Sequence, residues 1–129
     1  MGFKTLILVV DDDPQVRAAI VRALIELGYR TGEAVDGEAA LAAIRAAERP
    51  SLVILDYVMP GMDGAEVARQ IAAIDPDLPV IFSTGHAALR VLRSAAGEDA
   101  HVLEKPFTLE ELDELLRERL AERRRTRNG

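Results

Sequence analysis

Residues able to do chemistry stand directly after apolar runs that lie far apart in the chain. Asp11-Asp12 follow Leu6-Ile7-Leu8-Val9-Val10, and Asp56 follows Leu52-Val53-Ile54-Leu55. Ser83-Thr84 follow Pro79-Val80-Ile81-Phe82, and Glu104-Lys105-Pro106 follow a short run ending at Leu103. If those runs are strands of one sheet, three carboxylates, a hydroxyl and an ammonium converge on one cleft. Carboxylates a few ångströms apart repel, so one of them keeps its proton unless a cation intervenes. Every ligand on offer is an oxygen and the chain has no cysteine. That donor set favours a hard ion such as magnesium (Mg2+) over zinc. Asp11-Asp12-Asp13 has a second reading, as the N-cap of a following helix with extra negative charge at its positive end. Asp13 directly before Pro14 fits that role. For Asp11 and Asp12 taken alone the cap and the metal site stand level, and the remote Asp56, Thr84 and Lys105 weigh toward the metal. Lys105 taken alone reads as a loop lysine before a turn proline.

The elements that must position these groups alternate along the chain. Short continuous apolar runs at 6–10, 52–55 and 79–82 suit strands buried on both faces. A helical stripe at Val16, Ile20, Leu24 and Leu27 follows the first run, with Pro14 in its first turn and Gly28 just past its end. A weaker strand around Arg30 to Ala34 precedes Asp36-Gly37 and an alanine-rich helix over Glu38 to Ala47. A helix carrying Val67, Ile71 and Ile74 follows the loop from Met59 to Gly64, and a short one is expected from about Ala88 to Ala96. A brief strand near His101 to Leu103 leads to a last helix with Leu109, Leu112, Leu115, Leu116 and Leu120. Strand then helix, five times over, predicts a doubly wound α/β fold, (βα)5, with a five-stranded parallel sheet and helices on both faces. In such sheets the functional crevice lies beyond the carboxyl ends of the strands, where the strand order reverses.

The bulk properties bound what this site can belong to. A chain of 129 residues, 49% hydrophobic and 29% charged, suits one domain with one buried core. No apolar run approaches the roughly 20 residues that span a bilayer. The start, Met1-Gly2-Phe3-Lys4, makes a poor secretory signal because its apolar stretch is short and no small-residue cleavage site follows. A cytoplasmic address rests on that. The net charge of −6 argues against a surface built for nucleic acid. Arg117, Arg119, Arg123, Arg124, Arg125 and Arg127 nevertheless crowd the C-terminus. They read first as cations at the negative end of a helix dipole, and second as a contact for a partner. Residues 1–121 are expected to form the domain and 122–129 a basic tail.

Val9-Val10-Asp11-Asp12, Asp56 with the loop Met59-Pro60-Gly61-Met62-Asp63-Gly64, Ser83-Thr84-Gly85 and Lys105-Pro106-Phe107 resemble the motifs of response-regulator receiver domains. The match runs from about Leu6 to Leu120, and together the pieces are far more specific than any one of them. The resemblance implies a flavodoxin-like fold like that of the chemotaxis regulators. It implies a phosphoprotein of a two-component phosphorelay, in which Asp56 takes a phosphoryl group from a sensor histidine kinase or a phosphotransfer protein. Asp12 would bind Mg2+ directly, Asp11 mainly through water, and Asp56 and the backbone carbonyl of Val58 would complete its protein ligands. Lys105 and Thr84 would hold phosphoryl oxygens, and Pro106 is expected in cis. Self-phosphotransfer and autodephosphorylation would be its only catalysis. An effector protein would dock on the face made by the fourth helix, last strand and last helix.

Some positions depart from the family pattern or vary within it. Position 102, usually aromatic, is Val102, which has little surface to bury by rotating. This predicts a reduced phosphorylation-linked change on the effector face, with the change centred on the loop of Gly85 and His86. The segment from Thr84 to Lys105 is about one residue shorter than usual, which predicts a short or loosely held fourth helix. Val58 cannot hydrogen-bond an attacking water; His86 can if it points inward, and otherwise is a solvent-facing loop histidine. His101 reads as a surface histidine at a strand edge. Two other classes stand beside the leading one. A degenerate receiver would serve as a phosphate-independent interaction module, and Asp11-x-Asp13 also resembles the nucleophile motif of haloacid-dehalogenase-type phosphatases.

Overall fold

The computed structural model describes residues 5–59, 61 and 63–128, with side chains to 123. Met1 to Lys4, Pro60 and Met62 of the loop motif, Gly129, and the side chains of Arg124, Arg125 and Arg127 lie outside the described residues. The order is β1 (Leu6–Val10), α1 (Pro14–Glu26), β2 (Arg30–Ala34), α2 (Gly37–Arg45), β3 (Leu52–Asp56), α3 (Gly64–Ile74), β4 (Val80–Gly85), α4 (Leu89–Ala96), β5 (His101–Lys105) and α5 (Leu109–Asn128). All pairings are parallel and the strands stand in the order β2-β1-β3-β4-β5. The order reverses at β1, so the crevice opens between the carboxyl ends of β1 and β3. This is the expected doubly wound, flavodoxin-like fold.

The strand period of two divides the apolar side chains between two cores. Leu8, Val10, Val53, Leu55 and Phe82 pack under α2, α3 and α4, with Leu41, Ile44, Ile71 and Leu92. Ile7, Val9, Leu52, Ile54 and Ile81 pack under α1 and α5, with Leu24, Leu112 and Leu116. Full burial of such side chains contributes about 1.5–3 kcal/mol each before chain entropy is counted.

Side-chain caps set most helix starts. Asp13 accepts from Gln15 N and Val16 N, Asp36 from Ala39 N, and Asp63 from Glu66 N. Thr108 and Glu111 cap α5 reciprocally, at 2.8 and 3.0 Å. The Asp36 cap starts α2 at Gly37, and Ala46 already has extended backbone, so this helix ends two residues short of the expected Ala47. The last strand runs on to Lys105, because Glu104 and Lys105 pair with Thr84 and Gly85. A 3-10 turn, His86–Ala88, precedes the eight-residue α4, and neither has a side-chain cap. α4 is thus short, as the sequence predicts.

Gly64 closes the loop after β3. Its N–H donates to the Tyr57 carbonyl at 3.0 Å, and a Cβ there would come within 2.8 Å of Tyr57 Cα. Gly64→Ala is therefore expected to destabilise the fold by about 1–3 kcal/mol, the usual cost of forcing backbone apart. Urea unfolding measures it, and an unchanged midpoint would show that the loop yields freely.

Candidate functional site

Parallel register carries the site residues to one edge of the sheet. Asp56 ends β3 opposite Ser83 of β4, and Thr84 is the next residue along. Lys105 ends β5 opposite Gly85, and the bond from Lys105 to Pro106 is cis, as expected. Asp11 and Asp12 follow β1 directly. Oxygens of Asp11, Asp12 and Asp56 all lie within 4.8 Å of one another. Lys105 Nζ stands 3.6 Å from both Asp11 Oδ2 and Asp56 Oδ1. That is ion-pair range and longer than a hydrogen bond.

Burial makes these charges costly. Asp11 is 1% exposed and Asp56 8%, whereas Asp12 lies in the open. Asp11 Oδ1 accepts from the Asp13 N–H at 2.9 Å, while its Oδ2 has no hydrogen-bond partner. Asp56 Oδ1 accepts a long 3.4 Å bond from the Val58 N–H. Burial pushes the Asp56 carboxyl up to about 6. Lys105 opposes that rise, Asp11 adds to it, the Val58 N–H opposes it, and Asp12 adds a little more. Thr84 is 2% exposed, and both its Oγ1 and Ser83 Oγ lack a partner. The edge therefore holds a half-compensated carboxylate cluster with one ammonium and idle hydroxyls beside it.

The remaining candidates separate. Asp13 caps α1, which fits the cap reading for that residue and removes it from the cleft, against the phosphatase reading of Asp11-x-Asp13. Val58 is 61% exposed. His86 is solvent-facing, its side chain 87% exposed, and Nδ1 pairs with Glu104 Oε2 at 3.1 Å. His101 is less of a surface residue than expected: it is half-buried and its Nε2 meets Arg119 Nη1 on α5. Burial, and then the Arg119 charge, lower its pKa. Sequence reasoning missed Arg17, whose Nη1 donates to the Asp11 carbonyl at 2.7 Å and whose Nε pairs with Glu33 at 2.9 Å. It also missed Tyr57, which is buried beside the site. Arg17 carries no sequence signal, being one of many helix arginines. Tyr57 does, as an aromatic directly after the strand-ending aspartate.

Comparison with known proteins agrees with this geometry. The family model described as the response regulator receiver domain matches residues 7–117. The response regulator MprA of Mycolicibacterium vanbaalenii is 46% identical over 108 residues, covering 82% of this chain and 46% of MprA. This chain therefore spans under half of that relative. The response regulator receiver protein CpdR of Brucella abortus is 44% identical over 82% of this chain and 88% of CpdR. The crystal structure of the receiver domain of NtrX from Brucella abortus superposes with a TM-score of 0.82 at 35% identity, over 89% of this chain and 98% of that one.

The raised Asp56 carboxyl has a stability consequence. A carboxyl that binds its proton more tightly when folded favours folding at low pH, and loses that contribution as pH rises through the folded value. Metal-free protein should therefore lose stability between the ordinary value of 3.8 and about 6. Asp56→Asn, which cannot ionise, should melt higher than the unmodified chain at neutral pH and level with it at the acid end. Melting curves across that range would contradict this if the two proteins ran parallel.

Proposed function

Because this chain belongs to the response-regulator receiver family of two-component signalling, we propose that Asp56 is its phosphoacceptor and that Mg2+ is its cofactor. The observation that carries the proposal is Lys105, a lone ammonium held between Asp56 and Asp11 at 3.6 Å from each. Asp56 ionises near 6 and is therefore mainly a carboxylate, hence a nucleophile, at neutral pH. One of its oxygens forms a bond to phosphorus as the bond from phosphorus to the imidazole nitrogen of a donor phosphohistidine breaks. The imidazole leaves with the electron pair. Lys105 neutralises charge on the phosphoryl oxygens, and the unpartnered Thr84 hydroxyl donates to another. Hydrolysis of the resulting acyl phosphate would transfer the phosphoryl group to water, releasing inorganic phosphate and restoring the Asp56 carboxylate.

The donor set suits a hard divalent ion. It consists of oxygens only, and the buried Asp11 Oδ2 accepts no hydrogen bond. Asp12 and Asp56 would ligate Mg2+ directly, with Asp11 acting mainly through water and the Val58 carbonyl completing the protein ligands. When bound, the ion supplies positive charge that offsets the carboxylates and the phosphoryl oxygens.

Partners follow from the surfaces around the site. An apolar groove of about 670 Å³ lies between α1 and the start of α5, lined by Val16, Ala19, Ile20 and Phe107, with Lys105 at its margin. It suits the histidine kinase or phosphotransfer protein that presents the phosphoryl group. The α4-β5-α5 face is the reading for an effector, with residues 1–121 as the receiver and the basic 122–129 continuing α5 through Asn128 rather than leaving it as a separate tail. Among the described residues no helix is long and apolar enough to cross a membrane, and we place the protein in the cytoplasm. A phosphate-independent module has no use for the complete carboxylate and lysine set, so the phosphorylated reading is preferred.

Incubation with acetyl phosphate and Mg2+ should add one phosphoryl group to Asp56, seen as a mass gain mapped by peptide analysis. The rate should fall in acid as Asp56 takes up its proton, at a pH below the metal-free value of about 6, because a bound cation favours the carboxylate. Asp56→Asn or removal of Mg2+ should abolish the gain. Label retained by Asp56→Asn would move the site to another carboxylate.

A further inference from the structure

We infer that Tyr57 couples the phosphorylation state of Asp56 to α4, a task that the valine at position 102 leaves without an aromatic on β5. The inference rests on Asp56 being the phosphoacceptor.

Tyr57 is held at both ends. Its backbone N–H donates to the Ser83 carbonyl at 3.1 Å, and its own carbonyl accepts from Gly64 at 3.0 Å. Gly64 leaves no room on that side, since a Cβ would meet Tyr57 Cα. The ring is buried and meets Phe82 of β4 edge-on, centroids 6.1 Å apart at 80°. The hydroxyl reaches toward the Val91 carbonyl of α4, in a long contact of 3.5 Å that a small shift of either group makes or breaks. One residue, directly following Asp56, thus joins the strand of Thr84 to the fourth helix.

α4 is the element with least to hold it. α1, α2, α3 and α5 start on side-chain caps, whereas α4 has none, and Leu92 is its one buried residue. Its far end is fastened by Arg93, whose Nη1 donates to the carbonyls of Glu98 and Ala100 at 2.8 and 3.0 Å. Its near end depends on Leu92, the Tyr57 hydroxyl and the exposed His86–Glu104 pair. An exposed pair of that kind contributes little. The near end is therefore the part that can move, about a fixed far end.

A phosphoryl group on Asp56 gives the idle Thr84 hydroxyl a charged acceptor. Moving Thr84 moves Ser83, whose carbonyl holds the Tyr57 backbone. Tyr57 and Phe82 then shift together, and the hydroxyl bond to Val91 carries the shift into α4. Val102 packs at the edge of the same core opposite Phe82, but has no polar atom with which to reach the helix. The route runs from β3 to α4 and leaves β5 and α5 aside.

The test uses the full chain with Mg2+ and beryllofluoride, a phosphoryl mimic. Fluorine NMR reads occupancy of Asp56, and amide shifts of Leu89–Ala96 read the response of α4. Tyr57→Phe keeps the ring and should bind beryllofluoride as before, while the α4 shifts fall several-fold. Val102→Ala should keep the α4 response, and α5 should shift little in any of these proteins. A full α4 response in Tyr57→Phe overturns the coupling. Absence of bound fluoride in the unmodified chain overturns the phosphoacceptor reading itself, and the coupling with it. A second readout avoids changing Tyr57. The chain has two tyrosines and no tryptophan, so Tyr29→Phe leaves Tyr57 as the near-ultraviolet reporter. Its absorbance should shift with the same midpoint as the α4 amides, and an invariant band at saturation overturns the inference.

Discussion

The repulsion among Asp11, Asp12 and Asp56 is the constraint on which the rest of the structure turns. Their oxygens are gathered within 4.8 Å at the edge of an apolar sheet, where water screens the buried Asp11 and Asp56 poorly. Each neighbouring device compensates part of that cost. Asp11 takes the Asp13 N–H, Arg17 holds the Asp11 carbonyl, and Lys105 stands between Asp11 and Asp56. The compensation is incomplete: burial first, and then the Asp11 charge working against Lys105, leaves Asp56 holding its proton up to about 6. A site left in deficit in this way has the greatest gain from an added cation. The sheet order puts the deficit where strands diverge and solvent can enter.

Much of this is legible in the residues alone. Three apolar runs and two weaker strand signals, alternating with helical stripes, point to a parallel sheet, because parallel strands need crossovers and both faces must be covered. The carboxylates and lysine are legible because each stands at or just past the end of an apolar run. The cap is legible at Asp13, where a proline follows, whereas Asp36-Gly37 reads only as the approach to a helix and the structure makes Asp36 its cap. What stays hidden is set by pairing between distant segments. β5 extends through Lys105 because β4 offers partners for it, and no local pattern in Glu104-Lys105 says so. His101 looks like an edge residue in the sequence, yet α5 crosses close enough for Arg119 to meet it. Its altered titration has the same non-local origin.

Stability is also unevenly shared among the helices. Four of them combine a side-chain cap with a buried apolar stripe, whereas α4 relies on one buried leucine and contacts made by its neighbours. Segments with few buried contacts open at low free-energy cost and are where proteins place motion. The shortness of the segment between Thr84 and Lys105 acts in the same direction, since the turn after α4 is closed by Arg93 and not by further helix.

The two cores, one on each side of the sheet, have a consequence for how this chain can change. Side chains under α1 and α5 and those under α2, α3 and α4 share no contact cluster, because successive strand residues point to opposite faces. The backbone between them is a rigid wall of parallel hydrogen bonds. Substitutions on opposite sides should combine nearly additively, as distant independent sites do. The side that bears the groove beside Lys105 can accumulate variation while the side that bears Tyr57 and Phe82 keeps its packing. The sheet is in that sense a partition. It lets the half that bears the groove and the half that bears Tyr57 drift along separate evolutionary paths, joined only at the acidic edge they have in common.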